Sequence, residues 1–314
     1  MFPKPRFVET NGIRMAVYEQ GKGPAVILLH GFPELAYSWR FQLPALSAKG
    51  FRAIAPDQRG YGRSSVPPAV ADYRIDELVG DVQGLLDAMD LASAIFIGHD
   101  WGAMLLWHMA MTAPERIEKL VILNIPHYPR SAEDPIAIWR RRYGEEFYIV
   151  NFQDSDEADR KFARDPKRFF DVTMRRNQIS RQQFDLLPDE KKIVSLVGAL
   201  QKADHGGEPL LTAQERDYYA EAYSLSGFSG AINWYRNWTD NWQRSEGLDY
   251  SIDIPTLFIG ADNDVLISAD HIAAMRPLVS DLEVHMLQGC GHWSQQEQPD
   301  EVNRLILDWL MQRR

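Results

Sequence analysis

Asp100 stands between Gly98 and Gly102, where the apolar run AIFIG ends and WGAMLLW begins. This is the spacing of a nucleophile elbow, a strained strand-to-helix turn with room only for small residues two positions either side, and it holds a carboxylate where serine usually stands. A negative charge is welcome there, because the free N–H groups and the dipole of the following helix point at the apex. Asp100 also reads as a plain helix N-cap, so its assignment depends on partners elsewhere in the chain. Three stretches supply them. LLHGFPE sets His30, Gly31, Phe32 and Pro33 after an apolar run, where the backbone N–H of Phe32 would join that of Trp101 in an oxyanion hole. IGADNDVL carries Asp264 and GCGHWSQ carries His292, so nucleophile, acid and histidine follow one another in the order this architecture uses. Asp262 is a second candidate for the acid; Asp264 is preferred because it directly precedes Val265 and Leu266.

An aspartate in the nucleophile's place selects a reaction. It is ionised at neutral pH and needs no base, but it is weak, so it suits displacement at sp3 carbon of a group stabilised as it leaves, with an alkyl ester as product. Hydrolysis of that ester does need a base. His292, oriented by Asp264, would activate water while the Phe32 and Trp101 N–H groups hold the oxyanion. Two leaving groups are open, a halide or the oxygen of an opened epoxide. A halide calls for N–H donors, whereas an epoxide oxygen calls for hydroxyls that stay neutral at pH 7. Tyr148 in EEFYIVNFQ and Tyr235 in INWYRNW offer such hydroxyls, and each also reads as aromatic packing. His99, His108, His127, His205, His271 and His285 read as structural or surface residues, Cys290 as a small packing residue, and DQRGYGRSS (57–65) as a structural turn.

These side chains need a frame that brings strand ends together. RFVET and IRMAVYEQ are joined by Asn11-Gly12, a hairpin signal; AVILLH, FRAIAPD, AIFIG and KLVILNI are short apolar runs of the kind buried in a parallel sheet. Between them, residues 76–89 and about 101–112 show helical spacing. Alternation of this kind predicts an α/β fold with a mostly parallel, doubly wound sheet, since parallel neighbours need crossover connections. From His127 to Leu248 the buried-strand pattern stops and charge-rich and aromatic helical segments take over; it resumes at IPTLFIGAD and LEVHMLQGC, before a final amphipathic helix in DEVNRLILDWL. A core of residues 1–126 and 249–314 with an inserted helical cap at 127–248 is expected.

The 314 residues are 45% hydrophobic and 25% charged, enough to bury a full core. A net charge of -10 argues against nucleic acid or an anionic membrane as partner. No run of apolar residues is long enough to span a bilayer, and MFPKPRFVETNG has no apolar signal core. With one cysteine, no internal disulfide forms, and a cytoplasmic protein is expected.

HGFPE, GHDWGA, YIVNFQ, GFSGAINWYRNW, DNDVL and GCGHW follow one another in the order found in α/β-hydrolase-fold epoxide hydrolases of the soluble type, which the chain resembles over essentially its whole length. The resemblance implies that Asp100 is the nucleophile, Asp264 and His292 the charge-relay pair, Tyr148 and Tyr235 the ring-opening acids, and Phe32 with Trp101 the oxyanion hole. It implies an epoxide and water as reactants, a vicinal diol as product, and no cofactor or metal; nine tryptophans, several in the cap and elbow, point to a small apolar or aromatic epoxide. One departure is that YIVNFQ runs into DSDEAD, where such enzymes more often carry a Pro-Gly pair. A haloalkane or haloacid dehalogenase shares the aspartate elbow. Against it, Phe32 stands where haloalkane dehalogenases commonly place a polar halide-binding residue, and Trp101 is not the arginine of the haloacid enzymes. A non-catalytic receptor of the same fold would have no need of the intact nucleophile, acid and histidine.

Overall fold

Residues AVILL, AIFIGH and TLFIGA are buried along their whole length, so they can only sit between two covering layers. The computed structural model describes residues 2–176, 180–188, 191–202 and 206–313, and His205 lies outside them. An eight-stranded sheet, β1 (Arg6–Thr10), β2 (Ile13–Gln20), β3 (Ala25–Leu29), β4 (Arg52–Pro56), β5 (Ala94–His99), β6 (Ile117–Leu123), β7 (Thr256–Ala261) and β8 (Leu282–Leu287), runs in the order 1-2-4-3-5-6-7-8. The first hairpin and the β2–β4 pair are antiparallel and every later pair is parallel. Asn11 and Gly12 turn the hairpin at φ 42° and 74°, with Thr10 opposite Ile13. β8 closes the sheet as a half-buried edge.

Crossover helices cover both faces. They are α1 (Gln42–Ala48), α2 (Ile75–Ala88) and α3 (Trp101–Thr112) in the first half of the chain, then α13 (Ala269–Met275), α14 (Ser294–Glu297) and α15 (Pro299–Gln312) at its end. α2 and α3 belong to one apolar cluster through Leu78, Val82, Leu85 and Leu106, and α15 to the other through Val302, Ile306 and Trp309. At roughly 1.5–3 kcal/mol for each fully buried aliphatic or aromatic side chain, these two clusters supply the main stabilising term.

Between β6 and β7 the described residues form helices α4 (Pro135–Tyr143), α5 (Tyr148–Asp154), α6 (Glu157–Arg164), α7 (Pro166–Thr173), α8 (Arg181–Asp185), α9 (Leu196–Ala199), α10 (Ala213–Ser226), α11 (Ser229–Arg236) and α12 (Trp238–Arg244). This is the inserted helical cap. The DSDEAD stretch takes in the last residue of α5, a two-residue link and the first turn of α6. Arg236 gathers it by donating to the Phe152 carbonyl at 3.0 Å and the Ser155 carbonyl at 2.8 Å, and by pairing with Asp159 at 2.7 Å. The 57–65 turn has a packing role: the buried Arg59–Asp81 pair braces it, and the Arg59 carbonyl accepts the Trp234 indole N–H at 3.0 Å, fastening α11 to the sheet domain. No helix among the described residues is long and apolar enough to cross a membrane.

Candidate active site

All the sheet-borne candidates lie at one edge, because β3, β5, β7 and β8 run parallel and their carboxyl ends fall together. Asp100 caps the junction of β5 and α3 with φ 50° and ψ -121°, a strained conformation for a residue with a side chain. The glycines on either side make it possible. A Cβ on Gly102 would fall inside the Leu29 carbonyl of neighbouring β3, and one on Gly98 would lie 2.7 Å from the Leu106 side chain. Gly102→Ala is therefore expected to destabilise the fold by about 1–3 kcal/mol, the overpacking scale. Chemical denaturation measures it, and an unchanged unfolding curve would show that the elbow has slack.

The Phe32 N–H, from the loop after β3, donates to Asp100 Oδ1 at 2.8 Å. Trp101 opens α3, directly after Asp100 in the chain, so its N–H has no acceptor within its own helix. On the other side, His292 Nε2 stands 3.6 Å from Asp100 Oδ2 while its Nδ1 meets Asp264 Oδ2 at 2.8 Å. Asp264, fully buried, also accepts the Leu266 N–H on Oδ1 at 2.9 Å. Asp262 is not at this junction; its Oδ1 accepts the Cys290 N–H at 3.3 Å. Burial alone would lower the His292 imidazole, but the two carboxylates outweigh it and hold it well above the ordinary histidine range. In return, burial of Asp100 and Asp264 is more than offset by His292 together with the donors around them, His99 and the Phe32 N–H for Asp100 and the Leu266 N–H and Asn124 for Asp264, and both stay below the usual carboxylate range.

The two tyrosines come from the cap. Tyr148 starts α5 and Tyr235 lies near the end of α11, their rings 5.8 Å apart. Tyr235 is buried, and its ring meets those of Trp101 at 5.1 Å and Phe32 at 5.4 Å, so it packs on the residue after Asp100 and on the one whose N–H Asp100 accepts. Enclosure in the protein, with the Asp100 charge as a further cause, pushes both phenols above the normal tyrosine range. Both carry their protons at neutral pH.

Three polar residues that the motifs do not single out complete the site. Asn124, at the end of β6 with φ 68°, donates to Asp264 Oδ2 at 2.8 Å and accepts the Ser294 hydroxyl at 2.6 Å. Glu34, fully buried, meets His99 Nδ1 at 2.7 Å and accepts the side-chain amides of Gln295 at 2.7 Å and Gln296 at 2.8 Å. His99 Nε2 in turn reaches the His292 carbonyl at 2.8 Å, so the backbone of the His292 loop rests on a buried polar bridge. Position alone hinted at them, since Asn124 ends a strand and Glu34 and His99 stand inside the quoted motifs. Four further histidines have local roles: His108 pairs with Asp76, His127 stacks on Trp107, His271 reaches the Leu266 carbonyl and His285 pairs with Glu283. Cys290 is buried, and burial raises its thiol above the normal range.

The family model described as alpha/beta hydrolase fold matches residues 24–299. Epoxide hydrolase A of Mycobacterium tuberculosis is 38% identical over 98% of this chain and 97% of its own. The chain belongs to the α/β-hydrolase-fold epoxide hydrolases. A solved relative of this family, epoxide hydrolase A of Mycobacterium thermoresistibile, superimposes with a TM-score of 0.85 at 38% identity, covering 98% of both chains. Bifunctional epoxide hydrolase 2 of Sus scrofa is 35% identical over 95% of this chain, which spans 53% of that longer relative. As an epoxide hydrolase, the enzyme takes an epoxide and water as reactants, and the dehalogenase and receptor alternatives are set aside.

Proposed function

We propose that this epoxide hydrolase works through a covalent alkyl ester on Asp100. One Asp100 oxygen attacks a ring carbon, the ring C–O bond breaks, and the departing oxygen takes a proton from Tyr148 or Tyr235. Water then attacks the ester carbonyl and gives a proton to His292 Nε2, with Asp264 holding the imidazole and the Phe32 and Trp101 N–H groups receiving the oxyanion. Collapse breaks the ester C–O bond, and the diol oxygen takes the proton back from His292. The proton left on the Asp100 carboxyl returns to the tyrosinate, and the cycle closes on epoxide plus water giving a vicinal diol.

One arrangement carries this reading: a carboxylate held between the Phe32 N–H and an Asp264-bound imidazole, beneath two phenols that keep their protons. Electrostatics give the steps their order. Asp100 helps to hold His292 in its charged form, and esterification removes that charge, so the imidazolium releases its proton to solvent and stands neutral, able to accept one from water, once there is an ester to hydrolyse; it regains the proton from solvent when the Asp100 carboxylate is restored. The rings of Phe32, Trp101, Phe152 and Trp238 all lie 5.1–6.1 Å from that of Tyr235, which suits a small apolar or aromatic epoxide. The proposed division is a core of residues 1–126 and 249–314 with a cap of 127–248, and the proposed place of action is the cytoplasm.

Isotope labelling tests the covalent step. One turnover by excess enzyme in oxygen-18 water is expected to release unlabelled diol and leave the label in the Asp100 carboxylate. Label in the first-turnover diol would mean direct attack by water and would remove Asp100 from its role.

A further inference from the structure

The loop that carries Asp264 has little secondary structure of its own. Between β7 and α13, the Ile267 N–H reaches the Asp264 carbonyl at 3.1 Å and the His271 ring reaches the Leu266 carbonyl at 3.1 Å. Three further carbonyls of the loop are bound by one residue of the cap. Arg181, the first residue of α8, donates its backbone N–H to the Asp262 carbonyl at 3.1 Å, and its Nη1 donates to the Val265 carbonyl at 2.7 Å and the Ile267 carbonyl at 3.2 Å. The residue between those last two is Leu266, whose N–H fixes Asp264 Oδ1 at 2.9 Å. The Asp262 side chain binds the Cys290 N–H and the Asn263 N–H binds the Cys290 carbonyl at 3.0 Å, two residues before His292. Arg181 thus grips, from the cap, the segment that aims the acid at the base.

The guanidinium is itself held in place. Asp185, one turn along α8, pairs with Nε and Nη2 at 2.9 Å, and the arginine side chain is only 25% exposed. A planar donor fixed at one end and forked at the other suits two carbonyls a lysine could satisfy only in part. Without it, the Val265 and Ile267 carbonyls lose a charged donor, and the loop has no internal ladder to replace it.

We propose that Arg181 is a positioning residue for the hydrolytic half-reaction, by which the seated cap sets the Asp264–His292 geometry. Ring opening uses Asp100 and the tyrosines and does not need that geometry; ester hydrolysis does. The proposal rests on the covalent reading above, and the test separates the two. Single-turnover kinetics on Arg181→Ala and Arg181→Lys, followed by quench and intact-protein mass, read formation and decay of the Asp100 ester separately. For Arg181→Ala, formation is expected within about 3-fold of the parent. Decay is expected to slow about 10-fold, part of the roughly 10²-fold that a 1 Å misplacement of a catalytic group can cost. Arg181→Lys should recover part of the decay rate. Asp185→Asn, which loosens the guanidinium without removing it, should slow decay alone by a smaller factor and serves if Arg181→Ala does not fold. Formation and decay falling together, with no recovery by lysine, would make Arg181 a general cap anchor and overturn the proposal, as would unchanged decay in all three variants. Absence of any ester in the parent and in His292→Ala alike would instead overturn the covalent reading.

Discussion

His292→Ala, mixed with an epoxide, is expected to stop with the opened epoxide attached to Asp100. Alkylation needs no base, whereas loss of a positioned general base slows hydrolysis by about 10²–10⁴-fold, so the ester accumulates. Intact-protein mass spectrometry should show an adduct equal to the whole mass of the epoxide, because ring opening expels nothing. A haloalkane would leave its alkyl group without the halogen. Peptide mapping should place the adduct on the segment holding Asp100, and Asp100→Ala should show none. The substitution also removes a cation from beside two buried carboxylates, so the Asp100 and Asp264 pKa values should rise and alkylation should weaken on the acid side sooner than in the parent. A folded His292→Ala that turns over at the parental rate would remove His292 from the hydrolytic step.

The tyrosines should act on the other half-reaction. Tyr148→Phe and Tyr235→Phe are each expected to slow ester formation by about 10²-fold or more, the scale of a positioned general acid, and the double variant should form almost none. The rings stay in place, so the packing of Tyr235 against Trp101 and Phe32 is kept and only the hydroxyls are lost. Because both phenols are held above their ordinary range, the folded enzyme should keep these donors protonated at alkaline pH where a free tyrosine, near 10, is already ionising. Stopped-flow fluorescence of the nearby tryptophans measures the rate. Parental alkylation in both single variants would return these residues to packing.

Much of this architecture is legible in the chain because it is local. The Asn11-Gly12 hairpin, the buried runs of β3, β5 and β7, and the α3 boundary at Trp101 all follow from patterns a few residues long, and the structure places them at or within a residue or two of the expected positions. The Gly98-Asp100-Gly102 turn belongs to the same class, since the close approach of Leu29 that demands Gly102 is imposed by the elbow itself. Cap helices are foreseeable as helices from composition, and their docking is not.

What only the tertiary structure decides is which strand ends and which helices become neighbours. Asn124 reaches Asp264 because β6 lies between β5 and β7, an order that spacing along the chain does not encode. His99 and Glu34, 65 positions apart, form a buried bridge only because β3 and β5 are adjacent. Tyr148 and Tyr235 meet because α5 and α11 pack together, with Gln153 of one donating to the Tyr235 carbonyl of the other at 3.0 Å. Arg181 reaches Asp262, Val265 and Ile267 across more than eighty residues. Periodicity and turn chemistry are read by residues within one or two turns of each other, so the sequence alone determines the elements and the elbow. The partners of a buried polar atom depend instead on which elements share a face after collapse, and that is settled by sheet order and by how the cap seats.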